Sequence, residues 1–381
     1  MHIELSEEQK LLRDEVRRFA DEVVKPKAKE IDAEGVFPRD SFDQAGELGL
    51  TGVYVPEEYG GAGMDMLSYC LVIEEISRVC ASTGVILSVN NSLVCDPLLK
   101  WASEEQKKEL LTPLAAGKQL GCFALTEPGA GSDAAALRTR AVRDGDDYII
   151  NGNKVFITNG TDADVALVFA TVDPEKNHKG ITAFLVDADT PGYSHGIHEY
   201  KLGVNASGTT ELAFEDMRVP ASRRIGAEGD GFKIAMATLD GGRVGIAAQA
   251  VGIAQGAFEE AIAYAQEREQ FGKAISSFQA IQHYLADMST ELDAGRLLTW
   301  KAAWAKENQK RFSHEAAQAK LFTTQMAQRV TDRAEQIHDG YGYIREYNVE
   351  RFFRDARITE IYEGTSEIQK MVIADWVINK S

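Results

Sequence analysis

The chain has 381 residues, 44% of them apolar, and a formal net charge of −18. That length argues for two or three domains with sizeable cores. The acidic balance and the lack of any run of 18 apolar residues argue against nucleic acid, an anionic membrane surface or a membrane span as partners.

Residues 1–118 read as a helical domain. Ser6-Glu-Glu-Gln9 is a capping box, and Leu12, Val16, Phe19, Ala20 and Val23 continue a helical stripe that Pro26 is expected to end. A second helix through Phe42–Leu48 stops at Gly49, and the Gly-rich stretch Val55–Gly63 is a tight connection. Helices over Met66–Val79 and Thr83–Leu99 complete the domain, with Val89, Leu93 and Asp96 on one face. Asp96, just before Pro97, reads as a helix C-terminal residue reaching solvent. Cys70, Cys80, Cys95 and Cys122 form no Cys-x-x-Cys pair, and the acidic N-terminus lacks a signal-peptide core. Reduced thiols in a cytoplasmic protein are expected.

Residues 119–228 change to short β-rich runs. Val142–Ile150, Lys154–Ile157, Ala166–Ala170, Thr182–Val186 and Glu211–Phe214 are separated by Asp-Gly, Asn-Gly and Pro-Gly turns, an antiparallel β domain between helical ones. Gly129-Ala-Gly-Ser-Asp-Ala134 nominally fits a dinucleotide fingerprint, but a Pro precedes it and strands follow it, so no βαβ unit surrounds it. The useful reading is a loop whose backbone N–H groups and hydroxyls face a ligand. His195 and His198 are a loop pair without further ligands nearby, so no metal site is expected, and no Gly-x-Ser-x-Gly elbow suggests a hydrolase.

Residues 229–381 return to helix. Gly229 opens a long amphipathic run through Arg243. A helix is expected to end at Gly272, another begins near Phe278–Gln282, and a third spans Ala316–Val330. Val349, Phe352, Phe353 and Ala356 give an amphipathic helix, and Ser366 with Gln369 is a capping box opening the last one. Glu363 sits in the short connection between those two. It is either a first-turn carboxylate favouring a helix dipole or a carboxylate held on rigid supports beside a close-approach glycine.

Seven stretches in order resemble the acyl-CoA dehydrogenases, closest to the short-chain or butyryl-CoA branch. They are Thr126-Glu-Pro-Gly-Ala-Gly-Ser-Asp133, Lys154-Val-Phe-Ile-Thr-Asn159, Lys201–Glu211, Leu239-Asp-Gly-Gly-Arg243, Arg268–Gly272, Gln336–Gly342, and Arg354-Asp-Ala-Arg-Ile-Thr with Ile361–Gln369. The resemblance implies an α+β chain: an N-terminal all-α domain, a middle antiparallel β domain and a C-terminal four-helix bundle. It implies FAD as cofactor and Glu363 as the catalytic base. Leu125, Thr126, Phe156 and Thr158 would lie at the flavin ring, and Ser132 at the flavin pyrophosphate or the CoA chain. Arg268, Gln279, Gln336 and Gly340 would reach the dinucleotide of a neighbouring subunit in a homotetramer. Thr365 and Glu367 complete the cofactor contacts; Asp240, Arg243 and Gly364 belong to the thioester side. Asp96 would look toward the acyl pocket.

The chain departs from the family pattern at Phe156 (usually Trp), Asn205 (often Arg or His), Asp339 (Gly) and Asn348 (Pro). The chemistry implied is α,β-dehydrogenation of a short acyl-CoA. A desolvated Glu363 takes the α proton, the β hydride goes to the flavin, and electrons pass to an electron-transfer flavoprotein. Alternatives are a cyclic, branched or dicarboxylic acyl-CoA with Asp96 shaping the pocket, a non-redox lyase on the same fold, and a cofactor-free helical protein.

Overall fold

A computed structural model describes residues 4–379, so the outermost residues of the first and last expected domains lie outside it. The N-terminal helices are α1 (Glu7–Phe19), α2 (Lys25–Glu34), α3 (Arg39–Glu47), α4 (Met66–Ser77), α5 (Ala81–Ser88), α6 (Asp96–Trp101), α7 (Glu104–Gln106) and α8 (Thr112–Ala115). Strands follow: β1 (Gly121–Ala124), β2 (Arg140–Asp144), β3 (Asp147–Thr158), β4 (Val165–Thr171), β5 (Ile181–Asp187), β6 (Tyr193–His198), β7 (Thr209–Pro220) and β8 (Arg224–Ile225). Then come α9 (Gly231–Glu267), the hairpin β9 (Glu269–Gln270) and β10 (Lys273–Ala274), α10 (Gln279–Asn308), α11 (Ser313–His338), α12 (Val349–Thr359) and α13 (Ser366–Asn379).

The Ser6–Gln9 capping box forms as expected, with Gln9 N–H donating to Ser6 Oγ at 3.2 Å and Ser6 N–H to Gln9 Oε1 at 3.0 Å. Pro26 does not end the first helix. A π-helical turn, Ala20–Val24, precedes it, and α2 runs on to Gly35 in the left-handed region. The same device recurs at Val89–Cys95 before Pro97 and at Lys107–Leu111 before Pro113. A proline ring collides with the carbonyl four residues back and offers no N–H; widening the turn relieves both. The Val89–Cys95 turn is tied down by Asn91, which accepts from Val53 N–H at 2.9 Å and donates to the Leu50 and Leu87 carbonyls, each at 2.9 Å.

The sheet runs β6-β7-β3-β2-β4-β5-β8, with β1 beside β4. Most pairings are antiparallel, but β1–β4 and the Arg140–Thr171 contact of β2–β4 are parallel. The run read as Val142–Ile150 is a hairpin bent at Gly145, and His195 and His198 lie in strand β6 rather than in a loop. β4 is buried on both faces and alternates between two cores. Val165, Leu167 and Phe169 face the helices with Val94, Leu98 and Ile234; Ala166, Val168 and Ala170 face Tyr148, Phe184 and Leu212.

α9 is buried on most faces, not striped, because N-terminal and C-terminal helices both pack on it. It ends at Glu267, and Gly272 instead sits with Phe271 in the β9–β10 turn, both at positive φ as a tight hairpin requires. On α12 the buried face is Val349, Phe352, Asp355, Ala356 and Thr359, which leaves Phe353 37% exposed. The cap of α13 is Thr365, whose Oγ1 accepts from Ile368 N–H at 3.4 Å; Ser366 is the first helical residue and its Oγ has no partner among the described residues. No helix among the described residues is long and apolar enough to cross a membrane.

Candidate active site

Glu363 follows α12 in a turn closed by Ile361 N–H to Ile358 O at 2.9 Å and Ser366 N–H to Glu360 O at 3.0 Å. Its φ is 49° and that of Gly364 is 92°. Two consecutive left-handed residues reverse the chain and send the Glu363 side chain toward α9. A carboxylate there stores backbone strain, because a non-Gly residue in this region costs roughly 1–3 kcal/mol. The carboxyl lies against Gly242, where any Cβ would collide with Oε2 and come within 2.8 Å of Leu93 Cδ2. The residue as a whole is half-buried, but Oε2 is fully enclosed and has no hydrogen-bond partner among the described residues. Burial pushes this carboxyl up to about 7, with the Lys320 and Arg243 charges opposing.

Val85, Val89, Leu93 and Val204 form an apolar cluster with Phe123, Ile358 and Tyr362 beside the carboxyl. Tyr362 donates to Gln249, which in turn donates to the Ala81 carbonyl at 3.0 Å. Arg243 is buried on α9, one residue from Gly242, and donates to Asp240 at 2.6 Å; Asp240 also accepts from Ser313. The Arg243 Nε has no partner among the described residues. Glu363, Gly364, Asp240 and Arg243 are thus brought to one place.

A second group lies on the middle domain. Leu125 is buried, and its carbonyl accepts from Lys154 Nζ at 3.0 Å, while the Thr126 carbonyl accepts from Val155 N–H at 2.9 Å. Lys154 is fully buried and also donates to Glu127 at 2.8 Å; Glu127 accepts from the backbone N–H groups of Arg138 and Thr139 at 2.6 and 2.9 Å. Burial pushes Lys154 down to about 8, with the Glu127 charge opposing; Glu127 is held below its usual range because Lys154 outweighs the cost of burial. This pair pins the loop carrying Ser132 to β3, and Ser132 itself is exposed. Phe156 sits at a register shift of β3 against β7 with φ 58°, its ring 65% exposed. A bulge aims that ring outward from the strand. Thr158 pairs with Thr209 two residues on.

The third group lies at the C-terminal ends of α9 and α11 and the start of α10, while Thr365 and Glu367 directly follow the Glu363 turn. Arg268 caps α9 and lies 5.5 Å from the centre of the Tyr341 ring. Gln279, Gln336 and Gly340 are exposed, and Gly340 has open space where a Cβ would stand. Asp339 keeps a glycine-like backbone, φ 54° and ψ −137°, at the end of α11. Thr365 caps α13, and Glu367 is an exposed first-turn carboxylate.

Asp96 does not reach solvent. It opens α6 and is 2% exposed, with Oδ1 3.0 Å from Lys306 Nζ and Oδ2 2.7 Å from Lys100 Nζ. Lys306 also lies 4.6 Å from the Tyr54 ring centre. A Cβ on Gly241 would stand 3.2 Å from Lys306 Nζ and 4.0 Å from Asp96 Oδ2, so adjacent glycines of α9 face this pair and the Glu363 carboxyl.

Three family models match in order: "Acyl-CoA dehydrogenase, N-terminal domain" over residues 6–118, "middle domain" over 122–217 and "C-terminal domain" over 229–378. The chain belongs to the acyl-CoA dehydrogenase family. It is 51% identical over 374 residues to a short-chain specific acyl-CoA dehydrogenase of Clostridium acetobutylicum, covering 98% of this chain and 99% of that one. Butyryl-CoA dehydrogenase from Megasphaera elsdenii superposes with a TM-score of 0.98 at 44% identity over all of both chains. A chain solved in work on the electron transferring flavoprotein of Acidaminococcus fermentans and flavin-based electron bifurcation superposes equally well, at 47% identity over all of both chains.

Within this acyl-CoA dehydrogenase, sequence reading gave no role to Lys154, Glu127, Gln249 or Lys320. Lys154 and Glu127 stand inside quoted motifs and could have been paired as opposite charges there. Lys320 carries no such signal, being one lysine in an alanine-rich helix.

Proposed function

We propose that this chain is an FAD-dependent dehydrogenase of a short acyl-CoA, with Glu363 taking the α proton. The observation that carries this reading is the enclosed, unpartnered Glu363 oxygen beside an apolar cluster, with its proton affinity near neutrality. A solvated carboxylate is too weak a base for the α carbon; a desolvated one is stronger, and the general-base contribution is typically 10²–10⁴-fold. The thioester carbonyl is polarised by the backbone N–H of Glu363, and Arg243 and Asp240 stand on the CoA side.

The residues present fit FAD. The outward ring of Phe156 offers an aromatic wall, the pinned loop at Leu125 and Thr126 offers backbone groups, and Gly129 and Gly131 have open space around them. When bound, FAD supplies the acceptor for the β hydride. Thr158 would hold its ring, Ser132 its pyrophosphate or the CoA chain, and Thr365 and Glu367 would complete the contacts. The exposure of Gln279, Gln336 and Gly340, with Arg268 half-buried beside Tyr341, supports their serving a neighbouring subunit of a homotetramer. Arg268→Ala is accordingly expected to lose FAD on gel filtration, read as a fall in the flavin-to-protein absorbance ratio. An electron-transfer flavoprotein is the proposed electron acceptor, and the cytoplasm the proposed compartment.

A cyclic, branched or dicarboxylic acyl group is the second reading. Its dicarboxylic form is favoured by Gly241, which faces Asp96 and Lys306 next to Gly242, the glycine against the Glu363 carboxyl. Anaerobic titration of the purified protein decides between them. Bleaching of the flavin band by butyryl-CoA supports the first reading. Bleaching only by a cyclic or dicarboxylic thioester moves the assignment to the second. A flavin that no thioester reduces sinks both.

A further inference from the structure

Lys320 lies on α11 behind the Glu363 turn, and the reaction proposed above makes no use of it. It is fully buried, and its Nζ donates to the Gly364 carbonyl at 2.7 Å. The same carbonyl accepts from Gln369 Nε2 at 2.8 Å. Lysine is almost never fully buried without an anion beside it. Among the described residues Lys320 makes no ion pair within 4 Å, and the largest opposing charge acting on it is the Glu363 carboxyl. We propose that Lys320 is a positioning residue for the base: its hydrogen bond to Gly364 locks the left-handed turn, and its charge favours the ionised Glu363 carboxyl. This rests on Glu363 being the base.

The turn needs such a lock. Glu363 and Gly364 both stand at positive φ, and a strained backbone persists only where its surroundings over-determine it. Two donors on one carbonyl do that here. The charge argument is Coulombic. Burial alone drives a carboxyl to hold its proton, and only nearby cations oppose it. The groups facing Glu363 are Lys320 from α11, Arg243 from α9, and Tyr362 and Tyr69, which carry no charge at neutral pH. The Arg243 charge is shared with Asp240, so Lys320 is the less committed cation. Burial also pushes Lys320 down to about 7, with Glu363, Glu360 and Glu367 opposing. The two groups therefore titrate together, and the state of one sets the state of the other.

Three holoenzyme variants separate the two roles. Lys320→Gln keeps a donor for the Gly364 carbonyl but has no charge. Lys320→Met has neither, and Lys320→Arg keeps the charge. The readouts are the pH dependence of kcat/KM with butyryl-CoA and the pH titration of the carboxyl C=O stretch by infrared difference, assigned with Glu363→Gln. In Lys320→Gln both midpoints are expected to move alkaline by about one pH unit or more. Lys320→Met is expected to show the same move and a larger loss at the alkaline plateau, because the turn loosens. Lys320→Arg is expected to restore the wild-type midpoint. Midpoints in Lys320→Gln that match the wild type would overturn the proposal. A wild type that no thioester reduces would sink the dehydrogenase reading instead, and the infrared midpoint would still decide this one.

Discussion

Glu363→Gln is expected to retain FAD, bind butyryl-CoA within a few-fold of wild type, and reduce the flavin about 10³-fold or more slowly. Gln has the shape of Glu, so the turn, the clash-free fit over Gly242 and the apolar walls are kept. What is lost is the proton acceptor. Loss of a positioned general base typically costs 10²–10⁴-fold, and α-proton removal from a thioester leaves little background reaction. Stopped-flow flavin reduction under anaerobic conditions measures it, and near-wild-type reduction would remove Glu363 from the role. The pH dependence carries a second check. Burial places the wild-type carboxyl at about 7, above its ordinary 4.5, so the active, ionised fraction rises as pH passes through 7. Stability runs the other way. A raised carboxyl binds its proton more tightly in the folded state, so its favourable contribution is full below about 4.5 and is lost as pH rises through 7. Glu363→Gln has no such loss, so its melting temperature relative to wild type should climb between pH 5 and pH 8.

Asp96→Asn is expected to be the most destabilising single change among the charged groups near the site. Asp96 is 2% exposed and neutralises Lys306, whose side chain is 9% exposed. Breaking a buried pair by removing one partner costs about 3–5 kcal/mol, because the remaining charge stays buried without an anion. Burial alone would raise the Asp96 carboxyl, but Lys306 and Lys100 hold it below its usual range. Its contribution is therefore present above about 3.8 and lost as pH falls below that. Thermal melts at pH 7 should show the loss, and the double variant Asp96→Asn with Lys306→Met should recover much of it. A single variant that melts with the wild type would mean Lys306 finds another partner. The double variant also removes the polar end that Gly241 faces, so its acyl-CoA profile tests the second substrate reading without the stability penalty.

Sequence alone settled a good deal about this protein. The Ser6–Gln9 capping box, the helical ends and the β-rich middle rest on local rules of hydrogen bonding and periodicity, which act over a few residues. The ordered motifs placed the chain in its family and singled out Glu363. Some local features misled because tertiary context outweighed them. Pro26 reads as a stop, yet a π turn carries the helix past it. Ser366 reads as a cap, yet Thr365 holds that place because Glu363 and Gly364 reverse the chain. Only the folded chain decided the rest. Desolvation of Glu363, the seat of its carboxyl over Gly242, the Asp96–Lys306 pair and the Lys320 bond to Gly364 join residues 44–210 positions apart. Burial and Coulomb energy depend on distance in space, and no spacing along the chain encodes that distance.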